Sequence, residues 1–475
     1  MLNDADGAFL DSLAGALPHC TLRAPDAHHL EEPRGRWAGR AGAVACPASV
    51  EEVSLILRTA SAARVGIIPF GGGTGLVGGQ VAADGPAPLI LSLERMSRIR
   101  AIEPAGNVLV AEAGCILAEV QAAAAEVERL FPLSLASEGS ARIGGLLATN
   151  AGGTGVLRWG NARDLCLGLE VVMADGQIWH GLRRLRKDNM GYDLRHLILG
   201  SEGTLGVITA ASLRMVPRPA RQGAAMIVVR DPAAALELLS RAQARLGEAV
   251  SAFELIGGMG LRFLAEKMPH VRQPFDETPD WLVLIDLGLA ADQDPEAALA
   301  ALFEEAAAAG LALDGVIAAS DAQRTQFWKV RESLPEANRK IGSVSSHDVS
   351  VPMGAVPELL ARAEPELARI GTFRVNCFGH LGDGNLHWNV FPAPGRCRAD
   401  HEDQRLAIKT CIHDLVHSLG GSIAAEHGIG RLKVADLERY GDPVGLSAMR
   451  AIKAALDPLG ILNPGAVLRT GGRTW

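Results

Sequence analysis

Apolar positions in this chain alternate between helical spacing and short continuous runs. Ser49-x-x-Glu52 is a capping box, and Val53, Ile56, Leu57 and Ala60 follow it three to four residues apart, which predicts a helix of about three turns. Val65 to Ile68, Ile90 to Leu93 and Asn107 to Ala113 read as strands, and Leu117 to Ala125 as a helix. Leu169 to Met173 and Gln177 to His180 flank Asp175-Gly176, a hairpin signal. Pro217 and Pro219 restrict the chain and mark a boundary. Beyond it, strands are predicted at Ala224–Val229, Val250–Leu255, Trp281–Leu287 and Val316–Ala318, and helices at Ala233–Ala244 and Pro295–Ala309. That order suggests a sheet with helices on one face. The first forty residues, rich in Pro, His and Arg, read as irregular.

Length and composition narrow the class. A chain of 475 residues, 48% hydrophobic, has material for two or more cores. A net charge of −8 with no block of like charge argues against a nucleic-acid partner and for small-molecule chemistry. The seven cysteines are scattered without a CxxC pair, and are read as reduced thiols of a cytoplasmic protein. The N-terminus lacks the pattern of a signal peptide, and no apolar run reaches membrane-spanning length, so any membrane association is expected to be peripheral.

Two glycine-rich regions carry candidate chemistry. Pro69-Phe70-Gly71-Gly72-Gly73-Thr74-Gly75-Leu76-Val77-Gly78-Gly79 places six glycines after a strand, so backbone N–H groups can approach a phosphate without side chains in the way. It is neither a Walker loop, since Gln80 and Val81 follow, nor a dinucleotide fingerprint, since Val81 to Pro88 reads as loop. Ser137-Glu138-Gly139-Ser140-Ala141-Arg142-Ile143-Gly144-Gly145, continued by Thr149-Asn150-Ala151-Gly152-Gly153, would let a flat or extended ligand lie against backbone. The plainer alternative for each is a set of tight surface turns.

Gly379-His380-Leu381-Gly382-Asp383-Gly384-Asn385-Leu386-His387-Trp388-Asn389 is the sharpest metal signal. Its glycines disfavour a helix, so it reads as strand, turn, strand, bringing His380 and His387 across from one another to share a cation. Glu426-His427-Gly428-Ile429-Gly430 offers a further ligand and a base which, in an extended chain, point to opposite sides. Of 13 histidines, seven lie beyond Ser345; His401, His413 and His417 sit on or beside a helix without such a pattern.

The glycine motifs, together with Gly200-Ser201-Glu202-Gly203-Thr204-Leu205-Gly206-Val207-Ile208-Thr209, resemble the FAD domain of the vanillyl-alcohol oxidase/p-cresol methylhydroxylase superfamily. With the histidine motif and Glu426-His427, the resemblance narrows to the FAD-linked D-2-hydroxyacid dehydrogenases, the group of D-2-hydroxyglutarate dehydrogenase, D-lactate dehydrogenase and the FAD subunit of glycolate oxidase, and covers about Arg34 to Leu468. It implies an α+β protein: a two-subdomain FAD-binding fold of the vanillyl-alcohol oxidase type plus an α+β substrate (cap) domain with an antiparallel sheet. The expected segments are 1–40 (N-terminal), 41–219 (FAD-binding), 220–450 (substrate and metal-binding cap) and 451–475 (returning to the FAD domain). The implied FAD contacts are Pro69, Gly71, Gly72, Gly73, Thr74, Gly75, Ser137, Gly144, Gly145, Thr149, Asn150, Gly152, Gly153, Glu202, Gly206, Ile208 and Asn463. No His or Cys lies between Ile67 and Gly79, so the FAD is expected to be non-covalent. His380, His387 and Glu426 would ligate a divalent metal, zinc or alternatively manganese, with His427 as catalytic base. Asn389 would hold the substrate carboxylate, and Arg331 the variable end of a 2-hydroxy acid, with Ser346 beside it.

The resemblance also implies reoxidation by a one-electron carrier such as an electron-transfer flavoprotein or a quinone, at the inner face of a membrane or in the cytoplasm. A homodimer is the default assembly. Departures bear on the substrate. Relatives directed to 2-hydroxyglutarate carry Thr where this chain has Pro335 and Lys where it has Ser346, which weakens the hold on a distal carboxylate and favours a smaller acid such as D-lactate, unless Ser346, Arg339 or Lys340 compensates. Ala466 stands for the usual Lys after Leu462-Asn463-Pro464-Gly465. The plainer reading of Arg331 is a solvated ion pair with Glu332 or Glu336. Two other functions compete: a glycolate oxidase-like FAD subunit of a hetero-complex, and a metal-dependent hydrolase whose glycine loops bind a nucleotide substrate.

Overall fold

The computed structural model describes residues 1–18 and 21–469. Contacts divide the chain into two units, one of 1–152, 161–218 and 426–475, the other of 153–160 and 219–425. The chain thus returns to its first unit at Glu426, ahead of the expected 451, and the eight residues from Gly153 group with the second.

In the first unit, a four-stranded sheet runs Leu22–Arg23, Ala43–Ala45, Leu89–Ser92, Ile67–Phe70, the last three mutually parallel. The helix Val50–Ala63 packs beside it, its start fixed by Ser49, whose hydroxyl accepts the Glu52 N–H at 3.3 Å, while the Glu52 carboxylate accepts the Ala48 N–H at 2.9 Å. Val53, Ile56, Leu57 and Ala60 are fully buried with Ile67, Leu89, Leu91 and Leu462, each large side chain contributing ~1.5–3 kcal/mol. The strand includes Pro69, beyond the expected Val65–Ile68. Ile67 donates outward to the Ile461 carbonyl, so Pro69, two residues on, turns its missing N–H to the same outer edge and costs the ladder nothing. Leu462 pairs with Ile67 on that edge, which ties the C-terminal segment to the unit.

A second, antiparallel sheet orders Ile99–Glu103, Val108–Glu112, Val207–Arg214, Cys166–Val172 and Ile178–Gly181. The N-terminal region is less irregular than expected. Asp6 caps a helix Gly7–Ala16, and Phe9 and Leu13 are buried from it, a spacing of four blurred by the apolar Ala8, Leu10 and Ala14 beside them.

The second unit is built on a seven-stranded antiparallel sheet: Ala312–Ile317, Arg221–Val229, Trp281–Leu289, Val250–Gly257, Phe373–His380, Asn385–Pro392, Ser345–Ser350. Helices cover both faces, not one. Helices Gly258–Lys267 and Asp321–Ile341 bury Leu261, Phe327, Val330 and Leu334 against Ala224 and Met226, whereas Pro295 and Leu299 of helix Pro295–Ala308 meet the alternate face at Gly223. The central strands are apolar on both sides, and such strands need two covers. Among the described residues no helix is long and apolar enough to cross a membrane.

Candidate active site

In the first unit, the loop after Phe70 has an unusual hydrogen-bond state. The backbone N–H groups of Gly71 to Leu76 are only partly exposed and, among the described residues, have no protein acceptor. Six such donors in one turn can cradle an anion, which would take the place of the water that half-buried amides otherwise bind. Gly145 and Gly152 add two more unpaired N–H groups among the described residues. The loop is held from behind. A Cβ on Gly72 would lie 2.1 Å from the Ser140 carbonyl oxygen, and Gly73, at φ +70°, sits 2.7 Å from the His28 ring by the same measure. Gly71 approaches Gly145, so the two glycine regions expected to share one ligand are in contact. These donors suit the pyrophosphate of FAD.

Other expected flavin residues have visible structural work. Gly144 lies against Ala113, the Thr149 hydroxyl donates to the Gly145 carbonyl at 3.0 Å, and the Asn150 side-chain oxygen accepts the Arg163 N–H at 3.0 Å, with Asn150 at φ +49°. The Ser137 carbonyl accepts from Ser140 and Ala141. Gly206 packs on Val171, Ile208 is buried in its strand, and Pro69 lies under Gly203. Thr74 belongs to the unpaired run, while Gly153 groups with the second unit.

Glu202 and Asn463 serve a tether. The two Glu202 carboxylate oxygens accept the N–H groups of Ile429 and Gly430, each at 2.7 Å, and burial pushes its pKa up against those bonds. Asn463 donates to the Glu202 carbonyl at 2.8 Å and accepts from Arg431 at 2.9 Å. Arg431, which sequence reasoning missed although it directly follows the glycine pair, also donates to the carbonyls of Gly78, Gly79 and Pro464 at 2.9–3.0 Å. Burial pulls its pKa down to about 10, so it remains a cation at neutral pH. The turn carrying Glu426 and His427 is thereby fastened to the glycine loop. The turn is not extended: Gly428 and Gly430 take φ +80° and +52°, and His427 Nε2 lies 3.4 Å from Glu426 Oε1. The expectation that these two side chains point to opposite sides is therefore corrected.

In the second unit, the histidine motif forms the strands Phe373–His380 and Asn385–Pro392, joined by the short turn Leu381–Asp383. His380 pairs with Asn385 and Phe378 with His387, so the two histidines are diagonal neighbours on one face and not direct partners. Their rings lie 5.6 Å apart, with ring nitrogens within 4.8 Å. Asn389 follows His387 by two and shares its face, with Ser346 opposite in the register; Asn389 is buried and donates to the His387 carbonyl. The Ser346 hydroxyl donates to Ser343, and Lys340 and Arg339 both pair with Glu336. Ala425, at the end of this unit, donates to the Asp348 carbonyl, and Asp348 lies opposite His387; Glu426 is the next residue of the chain.

Behind the histidines is a carboxylate that sequence reasoning missed. Glu254, fully buried, accepts from His380 Nδ1 and from Arg331 Nε, each at 2.6 Å. Burial alone would raise its pKa, but Arg331 and His380 hold it down to about 2. Glu254 is therefore ionised and acceptor-only, so the proton sits on His380 Nδ1 and Nε2 remains to face a cation. Arg331, 5% exposed, lies 4.7 Å over the Phe378 ring. It is not the solvated ion pair with Glu332 or Glu336. Among the described residues its two terminal nitrogens have no protein acceptor, a fork suited to a carboxylate. The one signal for Glu254 was a lone charge in the apolar run Val250–Gly257.

Two imidazoles with one tautomer fixed fit a divalent ion of the zinc type. Comparisons with known proteins agree with the flavin side. Residues 41–181 match the FAD binding domain family, and residues 218–467 match the family of FAD linked oxidases, C-terminal domain. Similar curated proteins include a D-2-hydroxyglutarate dehydrogenase of Xanthomonas citri pv. viticola, 38% identical over 97% of this chain and 96% of its own, and one of Stutzerimonas stutzeri, 32% identical over 91% and 92%. The mitochondrial D-2-hydroxyglutarate dehydrogenase of Rattus norvegicus is 37% identical over 88% of this chain and 76% of its own. Among solved structures, p-cresol methylhydroxylase shares the fold at TM-score 0.77 over 99% of both chains with 14% identity. An alkyldihydroxyacetonephosphate synthase does so at 0.73, over 98% of this chain and 85% of its own, with 17% identity. The chain belongs to the FAD-linked D-2-hydroxyacid dehydrogenases and has the fold of the vanillyl-alcohol oxidase/p-cresol methylhydroxylase flavoproteins.

Proposed function

We propose that this protein is an FAD- and metal-dependent dehydrogenase that oxidises D-2-hydroxyglutarate to its 2-oxo acid. The observation that carries the reading is the buried Arg331 fork beside two imidazoles of one sheet face. When bound, FAD takes up hydride and the divalent ion stabilises negative charge on the substrate hydroxyl oxygen. His380, His387 and Glu426 are the ligands of that ion. His427 accepts the hydroxyl proton as general base, the role an imidazole most often fills. The Asn389 amide binds the C1 carboxylate, and the Arg331 terminal nitrogens hold the distal carboxylate, aligning C2 for transfer. The amides of Gly71 to Leu76, with those of Gly145 and Gly152, hold the FAD phosphates non-covalently.

D-lactate is the second reading. It is favoured by Pro335 and Ser346, which add no cation at the distal end, and by the pairing of Lys340 and Arg339 with Glu336. The acceptor of the electrons is a one-electron carrier, an electron-transfer flavoprotein or a quinone. The test is steady-state oxidation with an artificial dye acceptor, before and after metal removal. D-2-hydroxyglutarate should give 2-oxoglutarate at a kcat/KM at least tenfold above D-lactate, with activity lost on chelation and restored by zinc or manganese. Equal or inverted preference would move the substrate to the smaller acid, and chelator-resistant turnover would remove the metal.

A further inference from the structure

Five side chains of the second unit close a ring of contacts. Arg331 Nε donates to Glu254 Oε2 and His380 Nδ1 to Glu254 Oε1, both at 2.6 Å. His380 stands 5.6 Å from His387 between ring centres, His387 stands 5.1 Å from Phe378, and Phe378 carries the Arg331 guanidinium at 4.7 Å. Glu254 is the only carboxylate in the ring, and of its members it alone accepts hydrogen bonds from both the arginine and a histidine. A fully buried carboxylate in an otherwise apolar strand is expensive unless its charge is used, and a purely structural site would be filled as well by an apolar side chain.

We infer that Glu254 is a positioning residue that serves two binding tasks at once, orienting His380 for the metal and Arg331 for the distal carboxylate of the substrate. This rests on the reading of His380 as a metal ligand and Arg331 as a substrate contact given above. The division of its oxygens explains the residue type. Each oxygen takes one N–H donor, so the His380 ring is fixed with Nε2 outward, and the guanidinium is gripped through Nε with its two terminal nitrogens left for a ligand. Aspartate is one methylene too short to span both donors from the same Cα. Glutamine can accept from one of them but turns its own NH₂ toward the other. Metal affinity and diacid affinity are thus linked through one side chain that touches neither ligand.

The test uses the full-length protein, metal-stripped, with Glu254→Gln and Glu254→Asp. Zinc affinity is measured by competition with a chromophoric chelator, without reference to turnover, and KM and kcat for D-2-hydroxyglutarate are then measured at saturating zinc. Glu254→Gln should weaken zinc binding by about 10–100-fold, the usual effect of losing a carboxylate behind a ligating histidine. At saturating zinc it should still raise KM for the diacid about tenfold or more with a smaller change in kcat, because the Arg331 arm is not rescued by metal. Glu254→Asp should be intermediate in both, and it decides the matter alone if circular dichroism shows that Glu254→Gln does not fold. Zinc affinity and KM at wild-type values in the folded variants, with only a lower melting temperature, would overturn the inference and leave the proposed function standing. A wild-type protein that binds no stoichiometric metal would instead remove the metal reading, and this inference with it.

Discussion

Arg431 offers the sharpest perturbation of the flavin side. Its guanidinium joins the Gly78 and Gly79 carbonyls to Asn463 and Pro464 through four half-buried hydrogen bonds of 2.9–3.0 Å. Arg431→Met keeps much of the volume and removes all four donors. Hydrogen bonds to a charged group contribute ~1.5–3 kcal/mol each, but they are not additive here, because desolvation of the arginine opposes them, as its lowered pKa of about 10 indicates. A net loss of about 3–5 kcal/mol in stability is expected. The glycine loop loses its C-terminal anchor, and re-ordering two of its residues on ligand binding costs ~2–4 kcal/mol, so FAD affinity should fall about 30- to 1,000-fold. Recovery of flavin fluorescence on dilution reports the dissociation constant, and chemical denaturation reports stability. FAD binding within twofold of wild type would refute the assignment of this loop as the cradle, even if stability fell as expected.

Further predictions follow from single contacts. Gly72→Ala places a Cβ 2.1 Å from the Ser140 carbonyl oxygen, backbone that cannot step aside, so the variant should purify without flavin, as its absorbance spectrum would show. His427→Ala should keep its flavin while kcat/KM falls about 10²–10⁴-fold, and a rate within tenfold of wild type would remove it as the base. His387→Ala should lose its metal by elemental analysis. Glu254 has its pKa depressed from 4.5 to about 2 by Arg331 and His380, against burial, so its stabilising contribution is complete above pH about 4.5 and lost as pH falls toward 2. The stability advantage of wild type over Glu254→Gln in urea unfolding should therefore be present at pH 6 and shrink below pH 4.

The glycine loops were legible because only one residue type tolerates their close approaches, and Gly72 and Gly73 meet those constraints in the structure. The strand–turn–strand of His380 and His387 was equally readable, since Gly382 and Gly384 deny a helix. Its register was not: diagonal pairing depends on how many residues the turn consumes, which composition does not encode. Glu254 escaped because its meaning lies in partners 77 and 126 residues away, Arg331 and His380. The helix Gly7–Ala16 and the helical cover of the second face of the large sheet were missed for a common reason. Short amphipathic patterns and near-continuous apolar strands give weak periodicity, and packing decides what they become.

The most direct test of the whole account is an anaerobic absorbance spectrum of the purified protein as D-2-hydroxyglutarate, D-lactate, D-malate and glycolate are added in turn. An oxidised flavin spectrum, bleached by D-2-hydroxyglutarate at the lowest concentration and left oxidised after metal removal, is the predicted result. A flavin that none of these acids reduces in the metal-replete protein would contradict it.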